Sequence, residues 1–235
     1  MPIKRPRLVN REIYHIIVRG VGDIAIFKNK NDYYRAIFSL YEFNTTNPVI
    51  IRERRKARIK VKKTTREQFS DNRDLLVELL AFFFMPNHIH LLVRQIKNEG
   101  ITQFMRKIGA GYASYFNRKY NRKGHLFQER FRVVHIKTNE QFKAEFVYIH
   151  TNGISLIEPK WKEVGVKNPE KVIKFLENYK WSSYPDYIGK KNFPSVTKRD
   201  FLLKVMGGER GCIGFIKDWV KHKKEIGDFD GGILE

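Results

Sequence analysis

The chain has 235 residues, of which 42% are hydrophobic and 14% aromatic, and its formal net charge at pH 7 is +21. This apolar content excludes a mostly disordered chain, and so large a charge indicates a polyanionic partner, most simply nucleic acid, with an anionic membrane surface as the competitor. The sequence has no apolar run of transmembrane length and no signal-type segment, and its single cysteine excludes an internal disulfide and a Cys-rich zinc site. We therefore expect a soluble, intracellular protein.

Local patterns predict a strand followed by a helix at the start of the chain. β-branched and aromatic residues predict a strand over residues 12–20. Apolar residues at helical spacing predict a helix over residues 31–43, with Asn31 as its N-cap. Residues 52–63 then include eight basic residues and one acidic residue. Such a run is usually a solvated or mobile segment, although it could also contact a phosphate backbone.

A hairpin and a second helix follow. Residues 75–85 and 88–93 predict two strands, and Pro86-Asn87 between them predicts a tight connection. Apolar and aromatic residues at three- and four-residue spacings predict a helix over residues 102–120, capped by Thr102.

The next two elements are a strand and a helix. Residues 131–137 predict a strand, and Thr138 or Asn139 can cap a helix over residues 140–152 that ends at Gly153. The order strand, helix, strand, strand, helix, strand, helix predicts an α+β sandwich with helices on one face of an antiparallel sheet.

The C-terminal part is predicted to be helical. Helical periodicity occurs in residues 169–179, 200–206 and 212–224. Between the first two lies Trp181-Ser182-Ser183-Tyr184, which we interpret as structural rather than catalytic. We expect a core domain over residues 8–165, with a basic insertion at about 48–72, and a small helical appendage over residues 166–235.

Two histidines on the predicted strand 88–93 suggest a metal site. Successive side chains of a strand point to opposite faces, so His88 and His90 share one face while Ile89 and Leu91 occupy the other. Two imidazoles can bind a divalent ion and leave coordination positions open for another ligand and a substrate oxygen. A half-exposed polar face would show the same pattern, so the pair alone leaves both interpretations open.

The predicted helix 140–152 carries residues that could complete such a site. Tyr148 and Asn152 lie four positions apart and project from the same helical face. A tyrosine is a candidate covalent nucleophile, although its phenol, with a pKa of about 10, needs a cation or base nearby to attack at neutral pH. The amide oxygen of Asn152 is a candidate metal ligand. A tyrosine at helical spacing is more often a core residue, so spacing alone does not decide its role.

Five segments occur in an order typical of one protein family. They are YHIIVRG (14–20), MPNHIHLLV (85–93), GHLFQERF (124–131), YIHTN (148–152) and WSSY (181–184). The second is similar to the histidine-hydrophobe-histidine (HUH) motif of small single-strand DNA transposases. Together the five segments resemble the REP-associated tyrosine transposases of that superfamily.

The resemblance implies a ferredoxin-like (RRM-like) antiparallel sheet of the HUH endonuclease type. It implies that His88 and His90 bind a divalent ion, that Tyr148 attacks DNA and that Asn152 is a third ligand. In the family a proline often follows this asparagine, whereas this chain has Gly153. The family's ion is magnesium or manganese, whereas imidazole ligands by themselves favour transition metals, so the identity of the ion stays open.

The reaction that the resemblance implies is nicking and rejoining of DNA by an endonuclease and strand transferase. It would pass through a 5′-phosphotyrosyl intermediate and need no nucleotide cofactor, in keeping with the absence of a Gly-x-x-x-x-Gly-Lys-Ser/Thr loop. The expected partner is single-stranded or hairpin DNA, at hairpin-bearing repeats, and not a membrane. The expected location is the cytoplasm, at the nucleoid of a prokaryotic cell, and a monomer and a homodimer both stay open.

Basic residues near these segments are candidates for DNA contact. With aromatic neighbours they suit phosphate contact and base stacking, although each one alone could be a solvated surface charge. The candidates are Arg19, Arg106, Lys107, Arg118, Lys119, Arg122, Lys123, Arg130 and Arg132.

Two alternatives to a transposase remain. A domesticated DNA-binding protein would keep the fold and the basic surface but do little chemistry, and the presence of His88, His90 and Tyr148 argues against it. A metal-dependent oxidoreductase on a His-x-His barrel would need a second cluster of His or Glu ligands at strand spacing, and the sequence shows none. We therefore predict a metal-dependent tyrosine transposase.

Overall fold

A computed structural model describes residues 6–64, 73–128 and 130–225 of the chain. Parts of the predicted basic insertion (65–72) and of the C-terminal appendage (226–235) lie outside the described residues, as does Glu129 of the third family segment. The described strands are β1 (Ile13–Arg19), β2 (Val77–Phe84), β3 (His88–Gln95) and β4 (Arg132–Ile136).

The four strands form one antiparallel sheet in the order β2-β3-β1-β4. Helices α1 (Lys30–Glu42) and α2 (Ile51–Thr64) connect β1 to β2, and α3 (Gly100–Lys119) connects β3 to β4. This is the β-α-β-β-α-β order of ferredoxin-like folds. The predicted α+β fold class is therefore confirmed. The segment predicted as solvated or mobile, 52–63, is helical within α2.

The remaining regular elements of the described chain are helices. The helices are α4 (Asn139–Thr151), α5 (Trp161–Val164), α6 (Pro169–Asn178), α7 (Tyr184–Tyr187), α8 (Asp200–Met206) and α9 (Gly208–Glu225). The three predicted C-terminal helices are confirmed as α6, α8 and α9. Within the described ranges, no helix is both long and apolar enough to cross a membrane.

Contacts divide the chain into two compact units, the first of which comprises the described residues of Met1–Leu79, Pro86–His88 and Val93–His135. In this unit α1 packs on α3. The hydroxyl of Tyr112 donates to the carbonyl oxygen of Ile26 at 2.7 Å, and the buried carboxylate of Asp32 pairs with Lys119 at 2.6 Å. A satisfied polar network thus joins the two helices within an apolar interface.

The second unit comprises Leu80–Met85, Ile89–Leu92 and the described residues of Ile136–Glu235. Here the WSSY segment lies along β2. The N–H of Phe84 donates to Trp181 O at 2.9 Å, and the N–H of Ser183 donates to Phe82 O at 3.0 Å. Because β2 is at an edge of the sheet, this segment satisfies backbone groups that would otherwise be unpaired. This is the structural role predicted for the segment, whereas the predicted boundary at residue 165 stays a prediction.

The predicted N-cap of α1 is wrong by two residues. Asn29 is the N-cap, and its side chain accepts a hydrogen bond from the N–H of Asn31 at 3.1 Å. Asp32, at the third helical position, accepts from the N–H of Asn29 at 3.2 Å and completes a capping box. Asn31 therefore lies within the first turn.

The predicted start of α3 at Thr102 is also wrong. The helix begins at Gly100, and the N–H of Ile101 donates to Oε1 of Gln95 at 3.2 Å. A side chain at the end of β3 thus accepts the hydrogen bond of a free N–H in the first turn of α3. Sequence patterns near the helix start instead predict that a capping residue next to the helix accepts it. By contrast, Thr138 caps α4 as predicted, in a capping box with Gln141.

Gly153 does not stop the helix as predicted, because α4 continues into a 3₁₀ turn over Asn152–Leu156. A Cβ added at Gly153 would lie 2.6 Å from Cζ of Phe83 on β2 and 3.3 Å from Leu176 on α6. The glycine therefore allows a close approach of this turn to β2, directly after Asn152.

Gly153→Ala is expected to lower the free energy of unfolding by about 1–3 kcal/mol, because the methyl group overpacks this contact. The matched control is Gly214→Ala in α9, where a Cβ would meet no described heavy atom within 4 Å. This control should raise stability by up to about 1 kcal/mol through helix propensity. Urea unfolding curves of both variants measure the difference, and equal effects would contradict the packing role.

Candidate metal and nucleophile site

His88 and His90 lie two positions apart at the start of β3, so their side chains leave the same face of the strand, as predicted. His90 is 2% exposed, and His88 is half-buried. The intervening Ile89 is also buried, at 3% exposure. The strand thus presents two imidazoles on one face, while Ile89 and Leu91 occupy the other.

The ring of His88 is oriented by its neighbour in the chain. Nδ1 of His88 lies 2.7 Å from Oδ1 of Asn87. Because an amide oxygen only accepts, this contact requires a proton on Nδ1, and in a neutral ring Nε2 then carries the lone pair. The carbonyl oxygen of Asn87 accepts from the N–H of Gly20 at 2.8 Å, which holds the residue in place. An outer hydrogen bond of this kind is typical of histidines that bind metals.

Helix α4 places Tyr148 beside His90. The two ring centroids lie 5.8 Å apart at an interplanar angle of 80°, an edge-to-face contact. Tyr148 is half-buried. The structure therefore brings the predicted nucleophile together with one predicted metal ligand, which the sequence places 58 residues apart.

Asn152 lies at the C-terminal end of α4. Its Nδ2 donates to the carbonyl oxygen of Tyr148 at 2.9 Å. This hydrogen bond holds the amide against the last turn of the helix, so Oδ1 is the atom that can serve another donor or an ion. The spacing of four residues keeps Asn152 on the helical face of Tyr148.

His150, within the YIHTN segment, has a structural role. Its Nδ1 lies 2.8 Å from the carbonyl oxygen of Phe146, and its Nε2 lies 2.9 Å from Oγ of Ser183. Complete burial lowers the pKa of His150 to about 3, although the hydrogen bond to Phe146 opposes this shift. The imidazole is therefore neutral at pH 7 and ties α4 to the WSSY segment.

Glu145 is a buried carboxylate that sequence reasoning missed. It is 3% exposed and lies three residues before Tyr148, hence on the same side of α4. The three-residue spacing from Tyr148 is the sequence pattern that could have identified Glu145 as a neighbour of the site. Among residues 6–64, 73–128 and 130–225, however, no group of three or more His, Cys, Asp or Glu side chains could hold an ion. The predicted ligands His88, His90 and Asn152 therefore stay a prediction.

The predicted DNA-contact residues differ in whether their side chains contact other residues of the protein. Four make internal contacts: Arg19 with Asp23, Lys107 with the carbonyl oxygens of Thr45 and Asn47, Lys119 with Asp32, and Arg122 with Asn117. The other five are exposed, and among the described residues their side chains have no internal hydrogen bond or ion pair: Arg106, Arg118, Lys123, Arg130 and Arg132. A charge with an internal partner must give it up to bind a phosphate, so these five residues are the better candidates.

Comparisons with known proteins identify the family resemblance independently. Residues 45–152 match the family described as "Transposase IS200 like", and the matched range includes the histidine motif, Tyr148 and Asn152. The resemblance predicted from the sequence is thereby confirmed. A search of curated proteins found no match. Among solved structures, one described as the REP-associated tyrosine transposase bound to a REP hairpin is 14% identical, with a TM-score of 0.45 over 85% of this chain and 93% of that chain.

Proposed function

Because residues 45–152 match the IS200-like transposase family, we propose that this protein is a metal-dependent tyrosine transposase of the HUH type. It nicks and rejoins single-stranded DNA, at hairpin-bearing repeats, through a 5′-phosphotyrosyl intermediate. The observation that carries the proposal is the contact between the rings of Tyr148 and His90, whose centroids are 5.8 Å apart. A nucleophile and a metal ligand at this separation can act on one phosphate.

The chemistry of the donor set fits a divalent ion. Asn87 holds the proton on Nδ1 of His88 and so presents Nε2 as a ligand, and the hydrogen bond of Asn152 to Tyr148 leaves Oδ1 as a ligand. His88, His90 and Asn152 would hold the ion, magnesium or manganese by the family's pattern. When bound, the ion would polarise the scissile phosphate and offset the charge that develops on its oxygens.

Tyr148 carries the covalent step. Its phenol oxygen forms a bond to phosphorus while the bond from phosphorus to the 3′-oxygen breaks. The phenol loses a proton and the departing 3′-oxygen takes one up, so the exchange is balanced in protons. The products are a 5′-phosphotyrosine and a free 3′-hydroxyl. In the reverse step, a 3′-hydroxyl attacks the same phosphorus and the phenol leaves. The ester conserves the phosphodiester bond, so no nucleotide cofactor is required.

His88→Ala is expected to reduce adduct formation by about 100-fold or more, because losing a metal ligand costs at least as much as losing an outer hydrogen-bond partner. The assay detects a covalent protein–DNA adduct on a denaturing gel. It uses labelled single-stranded oligonucleotides from the DNA that flanks the gene, with magnesium or manganese present. The matched control is His222→Ala, an exposed histidine of α9, which should form adduct as the wild type does.

The same assay tests the proposal as a whole. A chelator should abolish the wild-type adduct, and an adduct that forms in chelator with His88 removed would show the metal role to be wrong. If the wild type binds DNA tightly but forms no adduct under any of these conditions, the domesticated DNA-binding protein becomes the better account.

A further inference from the structure

Helix α2 (Ile51–Thr64) presents a basic face to solvent. Eight basic residues and one acidic residue occur between positions 51 and 64. Arg52, Arg55 and Lys56 follow the i, i+3, i+4 spacing of one helical face, and all three are exposed. Ile59, the next residue at this spacing, is 59% exposed. The described part of this face is thus open along two turns.

Another side of α2 contacts α1. Nε of Arg54 lies 3.7 Å from Oε2 of Glu42, whose side chain is only 6% exposed. Arg54 is rotated by about 200° around the helix axis from Arg52. The ion pair therefore anchors α2 on one side and leaves the face of Arg52, Arg55 and Lys56 to solvent.

The excess of positive charge on α2 lowers the stability of the folded protein, because like charges lie close together. Arg52 and Lys56 are like charges at i, i+4, a spacing that destabilises a helix. Arg55 also repels Arg35 of α1. The burial of Arg35 is the larger cause of its lowered pKa, and the positive charge of Arg55 lowers this pKa further. A solvated helix would tolerate such charges, but it gains nothing from concentrating them. A polyanion would convert the same repulsion into attraction.

We propose that α2 is a docking surface for the phosphate backbone of double-stranded DNA, and specifically for the stem of a hairpin substrate. This identity of the substrate rests on the proposed function. Duplex DNA carries one negative charge per about 1.7 Å of its axis, twice the density of one of its strands. With 14 residues, α2 is about 21 Å long and can span several phosphates of a duplex. Its function is to hold the stem, whereas Tyr148 acts on the single strand.

The test neutralises the exposed face in the triple variant Arg52→Gln, Arg55→Gln, Lys56→Gln. Glutamine has nearly the helix propensity of arginine and lysine, so α2 should persist. The matched control removes the same charge from exposed positions in and beside α6: Lys167→Gln, Lys171→Gln, Lys174→Gln. Circular dichroism and thermal unfolding establish that both variants fold.

Fluorescence anisotropy then measures the Kd for a labelled DNA hairpin and for a single-stranded oligonucleotide of equal length over a series of salt concentrations. For the hairpin, the α2 variant should bind about 10-fold or more weakly at low salt, and the slope of log K against log salt should fall in magnitude by about 2–3, close to 0.9 per lost phosphate contact. Binding of the single strand should weaken by less than about threefold, because its contacts lie elsewhere. The control should leave the hairpin slope as in the wild type.

Three results would overturn the proposal: an unchanged hairpin slope, equal weakening in both triple variants, or equal weakening for hairpin and single strand. The adduct assay separates this proposal from the proposed function. With a single-stranded oligonucleotide that has no stem, the α2 variant should form the wild-type amount of adduct. If the wild type forms no adduct, the proposed function fails, and the salt slopes still decide whether α2 binds a duplex.

Discussion

Replacing Tyr148 by phenylalanine is expected to abolish the covalent protein–DNA adduct. The substitution removes the oxygen that would bond to phosphorus but keeps the ring, whose edge-to-face contact with His90 positions it. Loss of a covalent nucleophile lowers rates by about 10⁴-fold or more. DNA affinity should stay within about twofold, because no charge that contacts phosphate is lost. Denaturing gels measure the adduct, and fluorescence anisotropy measures the affinity.

The matched control for this substitution is Tyr34→Phe. Tyr34 lies on α1 and is 42% exposed, so the loss of its hydroxyl should change neither adduct nor affinity. If Tyr148→Phe forms adduct at the wild-type level, the assignment of the nucleophile is wrong. Peptide mapping of that adduct would then identify which of the other tyrosines, among 11 in the chain, is attached to DNA.

The second large effect is on stability: Asp32→Asn should lower the free energy of unfolding by about 3 kcal/mol. The carboxylate of Asp32 is fully buried and accepts five hydrogen bonds. The donors are Nζ of Lys119 at 2.6 Å, the hydroxyls of Tyr120 at 2.6 Å and Tyr115 at 2.9 Å, and the N–H groups of Lys28 at 2.8 Å and Asn29 at 3.2 Å. An asparagine would place its NH₂ group against some of these donors. This loss of unfolding free energy is at the lower end of the range for breaking a buried ion pair, because the Lys119 side chain stays partly solvated.

The effect of Asp32 should depend on pH. Burial by itself would raise the pKa of Asp32, but hydrogen bonds from Lys119, Tyr120 and the backbone of Lys28 outweigh it and hold the pKa below its ordinary value. Because the folded-state pKa is the lower one, the stabilisation is fully present above about pH 4 and is lost as the pH falls through the folded-state value. The variant should therefore lose less stability than the wild type on acidification.

Urea unfolding at a series of pH values from neutral into acid measures both effects. The matched control is Asp74→Asn, which removes the carboxylate of an ion pair with Lys97 in which both side chains are about half exposed. This control should change stability far less, because solvent screens the pair. If the two variants are destabilised equally, the network around Asp32 does not stabilise the packing of α1 on α3.

Several features of this protein follow from short stretches of sequence. The alternation of His88 and His90 about Ile89 follows from the strand period alone, and the capping box of α4 needs only Thr138 and Gln141. The order of elements likewise follows from local periodicity, and it matches the ferredoxin-like order of the sheet. These features depend on residues within a few positions of one another, so no packing has to be known.

Other features depend on residues far apart in the chain. Gln95 satisfies the first turn of α3, and the start of that helix is therefore decided by the end of a strand. Lys107 and Lys119 have the same charge as Arg106 and Arg118, yet among the residues that the structure describes only the first two are bound by backbone or carboxylate oxygens of other elements. No local pattern distinguishes them, because the acceptors come from distant segments.

The sequence by itself determined which face of β3 carries the imidazoles and which face of α4 carries Tyr148 and Asn152, since the helical and strand periods decide this. Only the tertiary structure decided that the rings of Tyr148 and His90 lie 5.8 Å apart, because α4 has to pack against the sheet before the two can meet. The close approach of Gly153 to Phe83 belongs to the same packing, and it explains physically why glycine stands directly after Asn152.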